Sequence, residues 1–444
     1  MYSCPHFLQY SILVGAIALS SSIAFPEKIG TAFAVDVDFP SRAFDRSPEM
    51  LLADRSPEVE TIVEGNTAFA CDLYRQLSAS DGNLFFSPYS ISNALAMTYG
   101  GARGQTAAEM AQVLHFQLEP NRLHPAFAEL IASLEPENAS TYELAIANRL
   151  WGQQNYGFLP AFLNLTQQYY GAPLQELDFI NATEDARLTI NTWVEQQTQN
   201  KILNLLPQGV IDPLTTKLVL TNAIYFQGSW LVPFDASATQ NQPFYLSSQE
   251  QIEVPMMHQM EYWNFANLEG LQVLELPYEG ENLSMVILLP TEIDGLADLE
   301  QQLTPENLQT WLSSARDFPM MFDGGPVSVW LPRFKLTSEF ELENTLSEMG
   351  MPQAFSDAAD FSGMNGETDL GISRVIHKAF VEVNEQGTEA AAATAVAMAT
   401  RGGSQTIRVD RPFVFFIFDR DSGSILFLGR VTNPLAIFGR RLPL

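Results

Sequence analysis

An isolated Arg401-Gly402 pair, reached through a run of small side chains, is the strongest chemical signal in this 444-residue chain. Residues 385–400 read Glu-Gln-Gly-Thr-Glu-Ala-Ala-Ala-Ala-Thr-Ala-Val-Ala-Met-Ala-Thr. A trypsin-like protease recognises one basic side chain before the bond it cuts, because an acidic group lies at the base of its pocket. A strand that slides between two existing strands cannot carry proline or bulk, and after Glu389 nothing here exceeds Val or Met. Together the two features describe a bait that is cut and then drawn into a sheet. By propensity alone residues 389–399 form a helix, since alanine is the best helix former. Gly387, Thr388 and Thr394 weaken that helix, and no apolar face of period 3.6 docks it, so a solvated loop with latent strand character fits as well.

Enzyme chemistry finds little support elsewhere. The five histidines are His6, His115, His124, His258 and His377, and no Gly-x-Ser-x-Gly accompanies them. Asp421-Ser422-Gly423 reads as a hairpin turn, following Arg420. No His/Glu spacing suits zinc, and no glycine-rich loop after a strand suits a phosphate, so neither metal nor cofactor is expected. The two cysteines, Cys4 and Cys71, give no disulfide framework, and Cys71 reads as a buried, inert thiol. With 23 Lys+Arg against 52 Asp+Glu, the formal net charge of −29 disfavours nucleic acid and other polyanions as partners.

Elements able to position the bait follow from the patterning. Hydrophobic residues make up 46%, enough for a sizeable core. Residues 1–34 read as an export signal, an apolar run ending in Ala32-Phe33-Ala34, with cleavage after Ala34. Only His6 precedes the run, so an uncleaved membrane anchor is the alternative. Secretion or a periplasmic location follows, with membrane tethering if the segment is not cleaved. Residues 35–60 form an acidic linker with Asp-Arg-Ser-Pro-Glu twice, and residues 61–435 are continuously globular, leaving a tail at 436–444. Val63, Ala70, Leu73 and Leu77 share one face of a first helix. Ser87-Pro88 opens a second that Gly100-Gly101 stops, and Thr106-Ala107-Ala108-Glu109 is a capping box for a third. Further helices are expected over 121–134, 159–170, 182–199 and 304–314. Strands are expected over 217–227 (ended by Gly228), 273–276, 283–289, 327–331, 374–384, 413–419 and 425–429, the last two as a hairpin. Helices early and strands late, without βαβ alternation, make an α+β fold.

Several separated motifs, in order, resemble the serpin family over essentially residues 61–434. Asn83-Leu84-Phe85-Phe86-Ser87-Pro88-Tyr89-Ser90-Ile91, Thr221-Asn222-Ala223-Ile224-Tyr225-Phe226-Gln227-Gly228-Ser229-Trp230 and Leu331-Pro332-Arg333-Phe334 come first. Asp360-Phe361-Ser362-Gly363-Met364, Ile376-His377-Lys378-Ala379, Arg411-Pro412-Phe413 and Phe427-Leu428-Gly429-Arg430-Val431-Thr432-Asn433-Pro434 follow. The resemblance implies about nine helices around three sheets, an exposed reactive loop, and a metastable sheet that can accept one more strand. It implies a monomeric suicide inhibitor that traps a trypsin-like serine protease as a covalent acyl-enzyme.

The resemblance also implies roles residue by residue. Glu385, Gly387, Thr388, Glu389, Ala390, Ala391 and Ala392 match the hinge. Counts from the hinge and from Arg411-Pro412-Phe413 both put the scissile bond at Arg401-Gly402, with Met398, Ala399 and Thr400 as subsites. Ser87, Ser90, Asn222 and His377 match a polar shutter beneath the sheet; Trp230 and the pair Arg333–Glu385 match its upper end. In an inserted strand Thr388, Ala390, Ala392 and Thr394 face inward, leaving Glu389 outside. Gln227 replaces a common lysine, residues 320–325 look like a small insertion, and the 437–444 tail is extra. The region 121–135 offers only Arg122 and His124, so no polyanion activator is expected. The alternatives left open are a non-inhibitory binding protein and an inhibitor of a cysteine or subtilisin-like protease.

Overall fold

Two serines followed by prolines set where the first helices begin. Ser56 accepts from the Val59 N–H and Ser87 from the Ser90 N–H, with Pro57 and Pro88 filling the first turns. The computed structural model describes residues 56–134, 142–316, 325–388 and 405–436, all within one compact unit. The export segment, most of the linker, the 320–324 part of the insertion and the extra tail lie outside the described residues.

Helices α1 (Pro57–Leu77), α2 (Pro88–Tyr99), α3 (Gly104–Val113), α4 (Pro120–Ser133), α5 (Pro160–Tyr170) and α6 (Thr183–Gln197) occupy the N-terminal half. Later come α7 (Leu296–Gln301), α8 (Pro305–Arg316), α9 (Glu343–Met349) and α10 (Ser362–Asn365), ten among the described residues. Val63, Ala70, Leu73 and Leu77 are all buried, as their spacing predicts. Helix α1 opens at Pro57, inside the stretch read as linker. Burial pushes the Cys71 thiol up to about 12, which keeps it un-ionised and unreactive.

The capping box at Thr106 does not form. Helix α3 starts earlier, with Arg103 as its uncapped boundary residue. The Thr106 hydroxyl instead accepts from the Asp360 N–H, and Glu109 accepts from the Gln353 N–H. Both side chains hold a neighbouring segment rather than their own helix end.

Sixteen strands among the described residues complete the fold: β1 (Leu84–Phe86), β2 (Tyr142–Gln153), β3 (Gln175–Leu177), β4 (Leu218–Ser229), β5 (Gln240–Ser247), β6 (Glu250–Glu261), β7 (Asn264–Leu268) and β8 (Leu271–Pro277). They continue with β9 (Leu283–Pro290), β10 (Val327–Pro332), β11 (Phe334–Glu341), β12 (Arg374–Asn384), β13 (Gly387–Thr388), β14 (Gln405–Arg408), β15 (Phe413–Asp419) and β16 (Ile425–Val431). They make three sheets, ordered β1-β16-β15-β9-β8-β7, β14-β10-β6-β5 and β11-β12-β13-β4-β2-β3. The α+β class and the β15–β16 hairpin stand as expected. The core runs between sheets and helices, with Phe85 stacked on Phe415 and Phe427 at 5.8 and 5.2 Å.

Strand β4 does not end at Gly228 but runs on to Ser229. A Cβ at Gly228 would lie 2.7 Å from the Phe226 ring and 3.0 Å from Tyr278. The glycine is therefore a packing requirement within the strand, not a stop.

Candidate functional site

The third sheet has a seam in its middle. β12 and β4 pair in parallel from Arg374↔Val219 to Phe380↔Tyr225. Above Phe380 they part, and β13 stands between them, antiparallel to both, with Thr388 opposite Val383 and Gly228. The chain thus leaves β12, turns through Glu385-Gln386 and re-enters the sheet as a two-residue wedge. Gly387 makes this turn possible: its φ of +142° suits glycine, and a Cβ there would lie 2.1 Å from the Gly228 carbonyl oxygen.

Backbone and side chains lock the upper end of the seam. Trp230 donates from its ring to the Asn384 carbonyl at 3.0 Å, and its N–H reaches the Gln386 carbonyl at 2.8 Å. The Trp230 ring stacks on Tyr278 at 4.7 Å, and the Tyr278 hydroxyl meets the Thr388 hydroxyl at 2.9 Å. Glu385, only 5% exposed, takes Arg333 Nε at 2.7 Å and also the Thr239 hydroxyl. This is a half-buried ion pair, because the Arg333 side chain is 44% exposed.

The middle of the seam is closed by a buried polar network. His377 on β12 and Asn222 on β4 face each other in register and share a short hydrogen bond between Nδ1 and Oδ1. The Ser87 N–H donates to His377 Nε2 at 3.1 Å, so the ring's proton sits on Nδ1 and points at Asn222. Burial pushes His377 down to about 3, leaving it neutral at any working pH. The Asn222 amide donates to Ser90 Oγ at 2.7 Å and Asn148 Oδ1 at 2.6 Å. Ser87 Oγ closes the set, donating to the Leu426 carbonyl at 2.6 Å and accepting from the Ser90 N–H.

Ser87, Ser90, Asn222 and His377 are therefore in direct contact, while Trp230, Arg333, Glu385, Gly387 and Thr388 gather above them. Asn148 on β2 is a fifth member that the sequence reading missed. The signal was a polar residue, 8% exposed, interrupting the apolar face of a strand. One expectation changes: Thr388 was read as waiting outside the sheet, whereas it is already inside it and fully buried. Its small side chain fits between Val383 and Gly228, and Tyr278 satisfies its hydroxyl. Glu389, Ala390, Ala391, Ala392, Met398, Ala399, Thr400, Arg401 and Gly402 lie outside the described residues. Their flanks are fixed in different sheets, since β13 joins the third and β14 pairs in parallel with β10 of the second. Among the described residues no group of three or more His, Cys, Asp and Glu suits a metal ion.

Comparison with known proteins agrees with this architecture. The model of the family described as serpin (serine protease inhibitor) matches residues 64–434. A leukocyte elastase inhibitor from Bos taurus is 48% identical over 386 residues, covering 85% of this chain and all of the relative. The protein of that name from Homo sapiens is 47% identical with the same coverage. The crystal structure of uncleaved ovalbumin superposes with a TM-score of 0.76 at 32% identity, over 84% of this chain and all of that one.

These matches correct one expectation. The elastase inhibitors are accounted for along their whole length by 85% of this chain, and the family match begins only at residue 64. The apolar N-terminal segment thus has no counterpart in them, and the secreted or periplasmic assignment drawn from it is withdrawn. By fold, by ordered motifs and by these matches, the chain belongs to the serpin family of serine protease inhibitors.

Proposed function

We propose that this protein is a suicide-substrate inhibitor of Arg-specific, trypsin-like serine proteases, with Arg401-Gly402 as the bond attacked. The protease serine adds to the Arg401 carbonyl, the Arg401–Gly402 C–N bond breaks, and the Gly402 amine leaves with a proton. The new ester joins Arg401 to the protease. The freed segment then continues the strand that β13 begins. Residues 389–401 would span about 43 Å when extended, enough to run the length of the seam.

The observation that carries this reading is the two-residue wedge between β12 and β4, followed by a run with no obstacle to insertion. Extending it exchanges one parallel ladder for two antiparallel ones, and the alanines have almost no side-chain entropy to lose. That gain is the driving force that outruns deacylation. Glu389 falls on the solvated face by alternation from Thr388, and Ala390 and Ala392 fall inward.

The relatives' name, leukocyte elastase inhibitor, favours a second reading, in which elastase is also a target. The small pocket of an elastase would accept Ala399 or Thr400 rather than Arg401. Incubation with trypsin or pancreatic elastase, followed by denaturing electrophoresis and sequencing of the released peptide, decides between them. A trypsin complex with release at Gly402, lost in Arg401→Ala while elastase capture persists or is absent, supports the proposal. A complex with elastase alone, or a trypsin complex retained by Arg401→Ala, contradicts it.

A further inference from the structure

The seam parts at its foot as well as at its upper end. Below the Arg374–Val219 pair the Ser373 N–H still donates to the Leu218 carbonyl at 3.1 Å, and the Lys217 N–H to Ser373 Oγ at 3.2 Å. Beyond them the two chains turn away from each other. The Ile372 N–H reaches the Ala354 carbonyl at 3.0 Å, and the Thr216 N–H reaches the Asp212 carbonyl at 2.9 Å. Between them lies a cleft of about 410 Å3, lined mainly by residues 215–217, 355–357 and 368–374. The register of β13 leads into this cleft. Thr388 stands opposite Val383 on β12 and Gly228 on β4, so each further residue of a continued strand moves one position down both neighbours. Met398 would stand between Ser373 and Leu218, and Ala399 between Ile372 and Lys217. Thr400 would stand between Gly371 and Thr216, and Arg401 between Leu370 and Thr215. All of these partners except Leu218 line the cleft.

The charges at the foot suit that occupant. Asp369, next to Leu370, and Asp357 both line the cleft, and among the described residues neither makes an ion pair. Asp369 Oδ1 accepts from the Asn365 amide at 3.0 Å, and a carboxylate has room for further donors. Of the two cations in the cleft, Arg374 donates to the Ser373 carbonyl at 2.9 Å and lies close enough to Glu343 to favour its charged form. Lys217 stands opposite the place of Ala399, not that of Arg401. Alternation from Thr388 sends Met398 and Thr400 inward and Arg401 to the outer face, where Thr215, Asp357 and Asp369 are exposed. Arg401 is also the last residue left attached to β13 once the bond is cut, so the strand runs out where the cleft does.

We propose that the foot cleft seats residues 398–401 after cleavage and that Asp369, with Asp357 beside it, takes the Arg401 guanidinium. This rests on the inhibitor reading above and adds to it a second acidic site for the bait. In the trapped ester the protease serine holds the Arg401 carbonyl, while the Arg401 side chain has two competing acids, one in the protease pocket and one at the foot. Asp369 draws the side chain out of the protease pocket. The protease thereby loses a contact that aligns the ester for attack by water. Asp369 is thus a positioning residue for trapping, specific to a basic bait.

Seat and charge are tested separately on the full chain. For the seat, Cys4→Ser/Lys217→Cys/Ala399→Cys puts thiols on opposed residues, whose Cα atoms in an antiparallel pair lie about 4.5–5.5 Å apart, within a disulfide's span. Mild oxidation should close this disulfide in the protein cut at Arg401–Gly402 and not in the intact protein, as read by peptide mapping. Thr215→Cys in place of Lys217→Cys lies two positions off register and should close none. A cut protein without the 217–399 disulfide, or with both disulfides, overturns the seat. For the charge, Asp369→Arg should at least double the ratio of cleaved to complexed inhibitor with trypsin. Adding Thr215→Glu, an acid beside the same place, should bring the ratio back toward the wild type, which a merely structural disturbance would not allow. Both positions are exposed, so these variants fold. A ratio unchanged by Asp369→Arg, or raised equally with and without Thr215→Glu, overturns the Arg401 contact. If trypsin cuts the wild type without any complex, the inhibitor reading fails and the Arg401 contact with it, while the disulfide still decides the seat.

Discussion

The two ends of one seam are held shut by different physics. At its upper end the strands are already parted, and what fills the gap is small: a glycine, a threonine and a half-exposed ion pair. In its middle the strands are joined by a neutral histidine and an asparagine, both without solvent exposure, inside a network of five side chains. Water can replace what is lost above but not what is lost below. On the proposed mechanism, insertion would begin where opening is cheap and would have to cross the buried network, where each group needs a new partner. The proposal puts the barrier to the inserted state at His377–Asn222 and the competence to start at Gly387–Thr388.

The largest effect should come from charging the wedge. Thr388→Arg places an unpaired cation where Thr388 is fully buried, which costs several kcal/mol. Trypsin should still cut after Arg401, but complex yield on denaturing gels should fall at least tenfold. An undiminished yield would show that trapping does not depend on an uncharged, buried wedge at Thr388.

Breaking the middle comes next. Asn222→Ala removes donors to Ser90 and Asn148 and the acceptor for His377, leaving buried groups unpaired at about 2–4 kcal/mol. Urea unfolding should detect this loss, together with faster spontaneous conversion to an inactive form. A variant as stable as the wild type would remove the network from the account.

Acid probes His377, together with two histidines outside the seam, more gently. Burial pushes His377 down to about 3 and His124 to about 4, so the unfolded chain takes up their protons first, from about pH 6.5 downward. Stability is therefore full above pH 6.5 and declines as pH falls, by about 1.4 kcal/mol per pH unit for each histidine. Desolvation and Arg408 push His258 the same way. Urea midpoints at pH 7.5 and 5.5 should show the decline, and His124→Gln should reduce it by about the share of one histidine.

The smallest effect belongs to the upper ion pair. Arg333→Ala should cost about 1 kcal/mol, because Arg333 is half exposed and Thr239 still holds Glu385. Its signature is a changed rate of protease trapping with little change in unfolding. A large stability loss instead would make the two ends of the seam alike.

How far the sequence carried this account depended on how local each signal was. Ser87-Pro88 and the periodic face of α1 were legible because a cap and a helix face are set within a few residues. The hairpin of β15 and β16 was legible for the same reason. Thr106 and Glu109 misled because their partners, Asp360 and Gln353, lie more than two hundred residues away. Gly228 misled because its role is to admit Phe226 and Tyr278, which no turn pattern shows. Asn148 showed only as a polar break in the apolar face of its strand, since nothing there reveals that it faces Ser90 and Asn222. The wedge at Gly387–Thr388 could not be read either, because it depends on β4, some 160 residues earlier, standing open to receive it.

The central claim is that cutting Arg401–Gly402 lets the small-residue run complete the seam. Thermal unfolding of the protein nicked at that bond, against the intact protein, tests it most directly. A large rise in unfolding temperature is expected, since two antiparallel ladders replace one parallel pairing along the seam. An unfolding temperature unchanged or lowered by the nick would contradict it.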